Sequence, residues 1–331
     1  MDIDKFAALW VHHFIIAGIW LILTLSLNLI NGFCGLFSLG HQGFWAVGAY
    51  SAALLVNTLL GYGCPELLAF ALSIPFAMFV AALFGLLVGL PCLRLRGDYL
   101  AIATLGFSEI LRNIVLNSKM LGESLGLSVP NIIRKSVEDR RNAYFIFFAI
   151  VLAAIALTVF TLRNLIRSSH GRAIMAIRDD DRVAELLGVN LTRYKVMVFV
   201  IGAAFAGLAG GLFANYNTQV APDDFSFNIG VLMVVMVVLG GMGSLLGTVL
   251  ATLLLYFIPV VLQIALPADF QVPVFYDPTQ GGVVYRDLKG LWQVFFSVLL
   301  IVVVLVRPQG IMGQGSWRWP WARNKTEAKQ V

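Results

Sequence analysis

The chain has 331 residues, 59% of them hydrophobic and only 12% charged, with a net charge of +5 and a mean hydropathy of +0.86. A soluble domain is about 45 to 50% apolar, and its interior is too small for this much oil, so composition excludes a soluble globular fold. The modest positive charge fits basic residues that face an anionic leaflet and makes no case for a nucleic-acid partner.

Ahead of the first apolar run, Asp2 and Asp4 outnumber Lys5 and no A-x-A-like cleavage site follows, so that run is expected to be a retained helix rather than a leader. Apolar runs recur at about residues 14–31, 37–60, 67–90, 98–117, 143–162, 195–216, 228–262 and 289–306. Most approach or exceed the roughly 20 residues a helix needs to cross a bilayer. The expected fold is all-α: one polytopic transmembrane helical bundle over residues 1–316, with about 8–10 spans including broken or re-entrant helices, and a tail at 317–331.

His12 and His13 stand before the first span as interfacial anchors. Cys34, Cys64 and Cys92 lie about 30 residues apart, without metal-ligand spacing or an even count that implies a disulfide framework, and read as small apolar side chains. No metal site and no cofactor are expected. Between residues 31 and 49, Gly32, Gly35, Gly40, Gly43 and Gly48 interrupt an apolar sequence, and two readings of residues 31–60 stay open: a single crossing or a re-entrant segment. Further on, GDYLAIATLGFSEILRNIVLN (97–117) places Glu109 and Arg112 inside a span. At i, i+3 on a helix they can pair, which makes them the expected intramembrane polar pair.

Orientation follows from Lys and Arg in short loops. Arg163, Arg167, Arg172, Arg178, Arg182, Arg193 and Lys195 mark about 163–194 as a cytoplasmic loop. The tail, with Arg307, Arg318, Arg323, Lys325 and Lys329, belongs on the same side. Residues 118–142 then fall outside and 91–97, with Arg94 and Arg96, inside. Within the cytoplasmic loop, RDDDRVAELLG (178–188) is expected to form one short amphipathic helix. Acids in its first turn complement the helix dipole, Val183, Ala184, Leu186 and Leu187 make a sticky side, and Gly188 terminates it.

The span 195–216 leaves the cytoplasm and 289–306 returns to it, so the run at 228–262 must enter and come back. It is too short for two full spans and bends at GGMGSLLG (240–247), which implies two short helices meeting inside the bundle. Two interrupted segments point to a transport path, for which the candidate lining is Gly40, Gly43, Phe44, Trp45, Gly240, Gly241 and Gly243. In GAAFAGLAGGLFA (202–214), Ala203, Gly207 and Gly211 form one small-residue stripe and Ala206, Gly210 and Ala214 another, so this helix is expected to pack closely on its neighbours.

Catalytic motifs are missing. GxxxxGK[ST] does not occur, nor any Gly-Lys dipeptide, so the chain has no P-loop. HExxH, GxSxG and CxxC are absent as well, and no catalytic residue is assigned.

Five ordered blocks, LFSLGHQGFWAVGAYSAALL (36–55), LRLRGDYLAIATLGFSEILRNI (93–114), GRAIMAIRDDDRVAELLGVNLTRYKVMVFVIGAAFAGLAGGLFA (171–214), VVLGGMGSLLGTVLA (237–251) and VRPQGIMG (306–313), resemble those of the LivM-type permeases of branched-chain amino acid ABC importers. The run NSKMLGESLGLSVPN (117–131) departs from the family, many of whose members carry a TGG-like stretch there. The resemblance implies a multi-pass protein of the bacterial inner membrane that works with a homologous second permease, two ABC ATPase subunits that bind the ATP, and a periplasmic binding protein. It also implies that the polar loop contacts the ATPase, through Arg172, Arg178, Asp179, Asp180, Asp181, Ala184, Glu185 and Gly188, with Asp181, Ala184 and Gly188 at the acid, alanine and glycine of permease coupling loops. Cargo other than leucine, isoleucine and valine stays open, since relatives carry urea, short amides or other amino acids. A stand-alone carrier or a membrane enzyme are the competing classes; the first has no use for a docking loop and the second lacks clustered catalytic groups.

Overall fold

The computed structural model describes residues 3–92, 97–130, 140–265, 271–277 and 282–287. Six helices among these are long and apolar enough to cross a membrane. α1 (Ile3–Asn28) is followed by a π-helical turn at Leu29–Phe33, then come α2 (His41–Gly61), α3 (Glu66–Cys92), α4 (Asp98–Leu116) and α5 (Arg140–Arg167). Two short helices, α6 (Ser169–Asp179) and α7 (Asp181–Leu186), lead to α8 (Leu191–Tyr216), the sixth long one. The two halves of the expected hairpin are α9 (Phe227–Gly240) and α10 (Leu245–Ala265). Two small antiparallel pairs interrupt the all-helical pattern: β1 (Leu127–Ser128) with β2 (Gln219–Val220), and β3 (Gln271–Asp277) with β4 (Gly282–Asp287). The expected last span at 289–306, the block 306–313, the tail 317–331, Arg94 and Arg96 lie outside the described residues.

The first span is apolar on every side, and a helix of that kind is buried in its bundle. Ile15, Ile19, Ile22, Leu23, Leu25, Leu27, Leu29 and Ile30 have at most 1% exposure, and α5, α8, α9 and α10 pack around them. The small-residue stripes of α8 do what their spacing predicts. Gly207 and Gly211 face Ala77 of α3, Ala203 faces Gly85, and Gly210 rests on the backbone of Trp45 in α2. A Cβ on Gly210 would stand 2.4 Å from the Trp45 carbonyl oxygen, so the helices touch backbone to backbone.

The helix directions settle the two ends of the bundle. α5 enters, and α8 leaves, the end that carries α6 and α7 and the basic residues gathered over 163–195. At the far end β1 and β2 join the segments after α4 and α8, and Asn57 near the end of α2 donates to Ser128 O at 2.9 Å. The segment 118–130 therefore lies at the end opposite the loop, as counting spans back from the basic loop predicts. α1 begins at that far end, where His12 bonds Tyr216 at the end of α8 and His13 bonds Tyr256 of α10, and it runs down to the loop end. There residues 34–40 turn back into the bundle without helical structure. His41 Nε2 meets Ser26 Oγ at 2.8 Å, and Ser26 stands about 10 Å up α1 from Phe33 at 1.5 Å per residue. Residues 31–60 therefore start at the loop end and finish at the far end, a single crossing that is broken at 34–40 so that α2 starts inside the bundle.

Candidate functional site

The loop end is built as a hinge between an amphipathic base and a knob. α6 is capped by Ser168, whose hydroxyl accepts from Gly171 N, and it buries Gly171, Ile174 and Ile177 against the bundle. The single helix expected over 178–188 is broken at Asp180. This residue is extended (φ −158°, ψ 111°), and its carboxylate accepts from the N–H groups of Arg182 and Val183. An acid that can cap competes with helix continuation, so the three consecutive acids divide the work. Asp179 ends α6, Asp180 caps α7, and Asp181 accepts from Lys195 Nζ of α8 at 2.6 Å. Gly188, at φ +85°, closes α7 as expected.

These contacts redistribute the expected coupling residues. Ala184 is buried at 1% exposure, and Arg172, Asp179, Glu185 and Gly188 face out, Arg172 also bonding Ser169. The most prominent surface is apolar: Leu186 is 87% exposed, Leu187 77% and Val183 51%. Lipid normally covers exposed leucines in such a protein. Here they stand on the most polar segment of the chain, where an uncovered apolar patch marks an interaction surface.

Arg178 does not belong to that surface. Its Nη1 donates to Gly32 O of the π turn at 3.2 Å, while Nε and Nη2 hold Asp179 Oδ1 at 3.4 and 3.3 Å. The side chain threads between two left-handed glycines: a Cβ on Gly35 (φ +72°) would lie 2.8 Å from its Cγ, and one on Gly243 (φ +85°) 2.8 Å from its Nη1. Both interrupted segments thus converge on one arginine of the loop. Their second junction is Asn28, fully buried on α1. Its amide donates to Ser244 O (3.1 Å) and Thr248 Oγ1 (2.8 Å) and accepts from Gly243 N (3.0 Å), so all the polar groups of the hairpin bend nearest it are satisfied. Sequence reasoning found the bend but missed Asn28, whose only signal was a polar residue in an otherwise apolar run.

The expected path lining takes a different role in this chain. Phe44 is fully buried against Phe107 and Phe199, and Trp45, 3% exposed, packs edge-on to Phe213 and Phe225 with ring centroids 5.0 and 4.7 Å away. A Cβ on Gly40 would meet Thr104 O at 2.0 Å, and one on Gly43 would meet Ser108 Cβ at 3.0 Å. Gly240 is pressed against Gly247 and Thr248 across the hairpin. Large aromatics gain most by burial, so these residues seal the contacts of α2 and of the hairpin rather than face an open channel. Gly241 (φ +98°) and Gly243 form the bend itself.

The expected Glu109–Arg112 pair does not form. Arg112 reaches across 111 positions to Asp223 (Nη2 to Oδ1, 2.7 Å) and to Pro222 O (3.3 Å). The i, i+3 spacing permits the local pair, but the turn at Pro222–Phe225 offers a carboxylate and a carbonyl together. Next to it Asp224 accepts from Ala221 N, and burial raises its carboxyl above the ordinary range. Glu109 is left inside a span with no partner among the described residues. Insertion scales put a charge at a helix centre at about 2.5–3.5 kcal/mol, so an unpaired carboxylate there is costly wherever hydrocarbon surrounds it. Among the described residues no group of three or more His, Cys, Asp or Glu gathers as metal ligands would.

Six apolar spans, two breaks inside the bundle and a loop tied to both define a multi-pass helical membrane protein with the build of a transporter. The model of the family described as branched-chain amino acid transport system / permease component matches residues 11–305, and the chain belongs to that family. It is 34% identical over 317 residues to the high-affinity branched-chain amino acid transport system permease protein LivM of Escherichia coli, covering 89% of this chain and 68% of that one, with the same figures for LivM of Salmonella typhimurium. Similarity extends to the LivH permease of Escherichia coli, at 26% over 309 residues, covering 88% of this chain and 91% of LivH. No solved structure matches.

Proposed function

We propose that this chain is a membrane-spanning permease subunit of an ATP-binding-cassette importer of the bacterial inner membrane. It passes leucine, isoleucine and valine delivered by a periplasmic binding protein, beside a second homologous permease, and two separate ATPase subunits supply the work. The cargo rests on the likeness to LivM and LivH, both named for branched-chain amino acids. One observation supports the drive: the loop carries an exposed apolar knob on one side and, nine positions or fewer away, an arginine bonded to the first broken segment. A partner that moves the knob moves the base of both breaks.

Changing Leu186 and Leu187 together to Asp is expected to lower copurification of the ATPase at least tenfold, while the chain still inserts. The two side chains touch no core, so the fold has little reason to change. Undiminished copurification of the double variant would remove the knob from the interface. The permease alone is expected to hydrolyse no ATP, and uptake of urea or an amide in place of labelled leucine by the full complex would keep the machine and correct its cargo.

A further inference from the structure

α4 has one face inside the bundle, made by Leu100, Ala101, Thr104, Ser108 and Val115. At about 100° per residue, Gly106, Glu109, Asn113 and Asn117 fall within roughly 80° of one another on the opposite side. Asn113 and Asn117 are exposed, Glu109 is half-buried, and a Cβ on Gly106 would meet nothing within 4 Å. In the half toward the far end this makes a polar stripe on the outside of the span, bordered by the exposed Ile110 and continued toward the other end by the exposed Ile102 and Tyr99. Glu109 stands seven residues from Leu116, about 10 Å inside the far end of the helix at 1.5 Å per residue. Hydrocarbon is the wrong neighbour for such a face.

The hydrogen-bonding inventory says what does fit. Asn113 Nδ2 donates to Glu109 O at 2.8 Å and Asn117 Nδ2 to Asn113 O at 2.7 Å, so each amide spends a donor on its own helix and keeps its oxygen free of a partner among the described residues. With the Glu109 carboxylate, the stripe offers acceptors. Arg112, the nearest cation on the helix, is committed to Asp223 and Pro222. An ammonium group has three donors and no acceptor.

We propose that this stripe of α4 lines the watery route through the outer half of the membrane, and that the Glu109 carboxylate receives the ammonium group of the amino acid in transit. The inference rests on the importer reading for its ligand. The stripe is a positioning and selectivity surface, away from the hairpin bend and the coupling loop.

Thiol labelling tests the face without relying on transport. In the complete complex, with Cys34, Cys64 and Cys92 replaced by Ser, the variant Asn113→Cys is treated with membrane-impermeant methanethiosulfonates. The cationic reagent, which carries a quaternary ammonium, is expected to react at least tenfold faster than its anionic sulfonate counterpart. Adding Glu109→Gln should erase that preference. In the native-cysteine complex, Glu109→Gln is expected to lower leucine uptake at least tenfold with ATPase copurification intact, and Glu109→Asp to restore part of it. Reaction only with a lipid-soluble maleimide, no reaction at all, no charge preference, or wild-type uptake by Glu109→Gln would each overturn the proposal. Loss of the second permease chain from the Glu109→Gln complex would also overturn it, because Glu109 would then be a contact between subunits. Labelling of the Asn113→Cys complex as expected, together with a native complex that carries no amino acid, refutes the importer reading instead and leaves the wet face standing.

Discussion

Replacing Arg178 by Ala is expected to uncouple transport from ATP hydrolysis. The ATPase should still copurify, since the exposed knob at Val183, Leu186 and Leu187 is untouched, while leucine uptake per ATP hydrolysed falls at least tenfold. Removing the side chain deletes the bond to Gly32 O and empties the gap between Gly35 and Gly243. An unpaired buried carbonyl costs about 1–3 kcal/mol, so the chain should survive while losing the contact shared by loop, π turn and hairpin bend. Arg178→Lys should recover little, because an ammonium is a single point of charge, whereas the planar guanidinium holds Asp179 with two nitrogens while a third reaches Gly32. The measurement is labelled leucine uptake and phosphate release in the same vesicles containing the full complex and binding protein. An unchanged ratio of the two in Arg178→Ala would dismiss Arg178 as the link.

The parts of this molecule that a one-dimensional pattern governs were open to reading. Hydrophobic length placed the spans, and the small residues of α8 foretold its close packing on α2 and α3. Even the hairpin followed from a constraint of length and sidedness, since residues 228–262 had to enter and leave on the same side. What stayed hidden depends on partners far apart in sequence. Arg112 finds Asp223 111 positions away, and Asn28 finds the bend 215 positions away. Locally, Glu109 looked the better partner for Arg112 and glycine-flanked aromatics looked like a path. The division of RDDDRVAELLG at Asp180 is a closer contest, between continuing a helix and capping a new one, which the tie from Asp181 to Lys195 helps decide. The turn of residues 34–40 back into the bundle is fixed by Ser26 meeting His41, a pairing with no periodic signature.

Two glycines with the same backbone angle give a controlled comparison of the hairpin bend. Gly188 and Gly243 both sit at φ +85°, but a Cβ on Gly188 meets nothing within 4 Å, whereas one on Gly243 lies 2.8 Å from Arg178 Nη1 and close to Gly32. Gly188→Ala should therefore cost only the left-handed strain, about 1–2 kcal/mol. Gly243→Ala adds displacement of Arg178 to the same strain, and should lower the unfolding midpoint of the detergent-solubilised chain clearly further. Asn28→Leu attacks the same junction from the other side. It fills similar volume but leaves Gly243 N–H without its acceptor, while Ser244 O keeps the N–H and hydroxyl of Thr248 that also bond it. At about 1–3 kcal/mol for the donor left unpaired, this single change should destabilise at least as much as Gly188→Ala. Because Asn28 and Gly243 share the bend, the double variant Asn28→Leu with Gly243→Ala should lose less than the sum of its parts, as residues in one network do. Equal midpoints for Gly188→Ala and Gly243→Ala, or strict additivity of Asn28→Leu with Gly243→Ala, would mean that the bend is not held at this junction and that Arg178 passes beside it without being part of it.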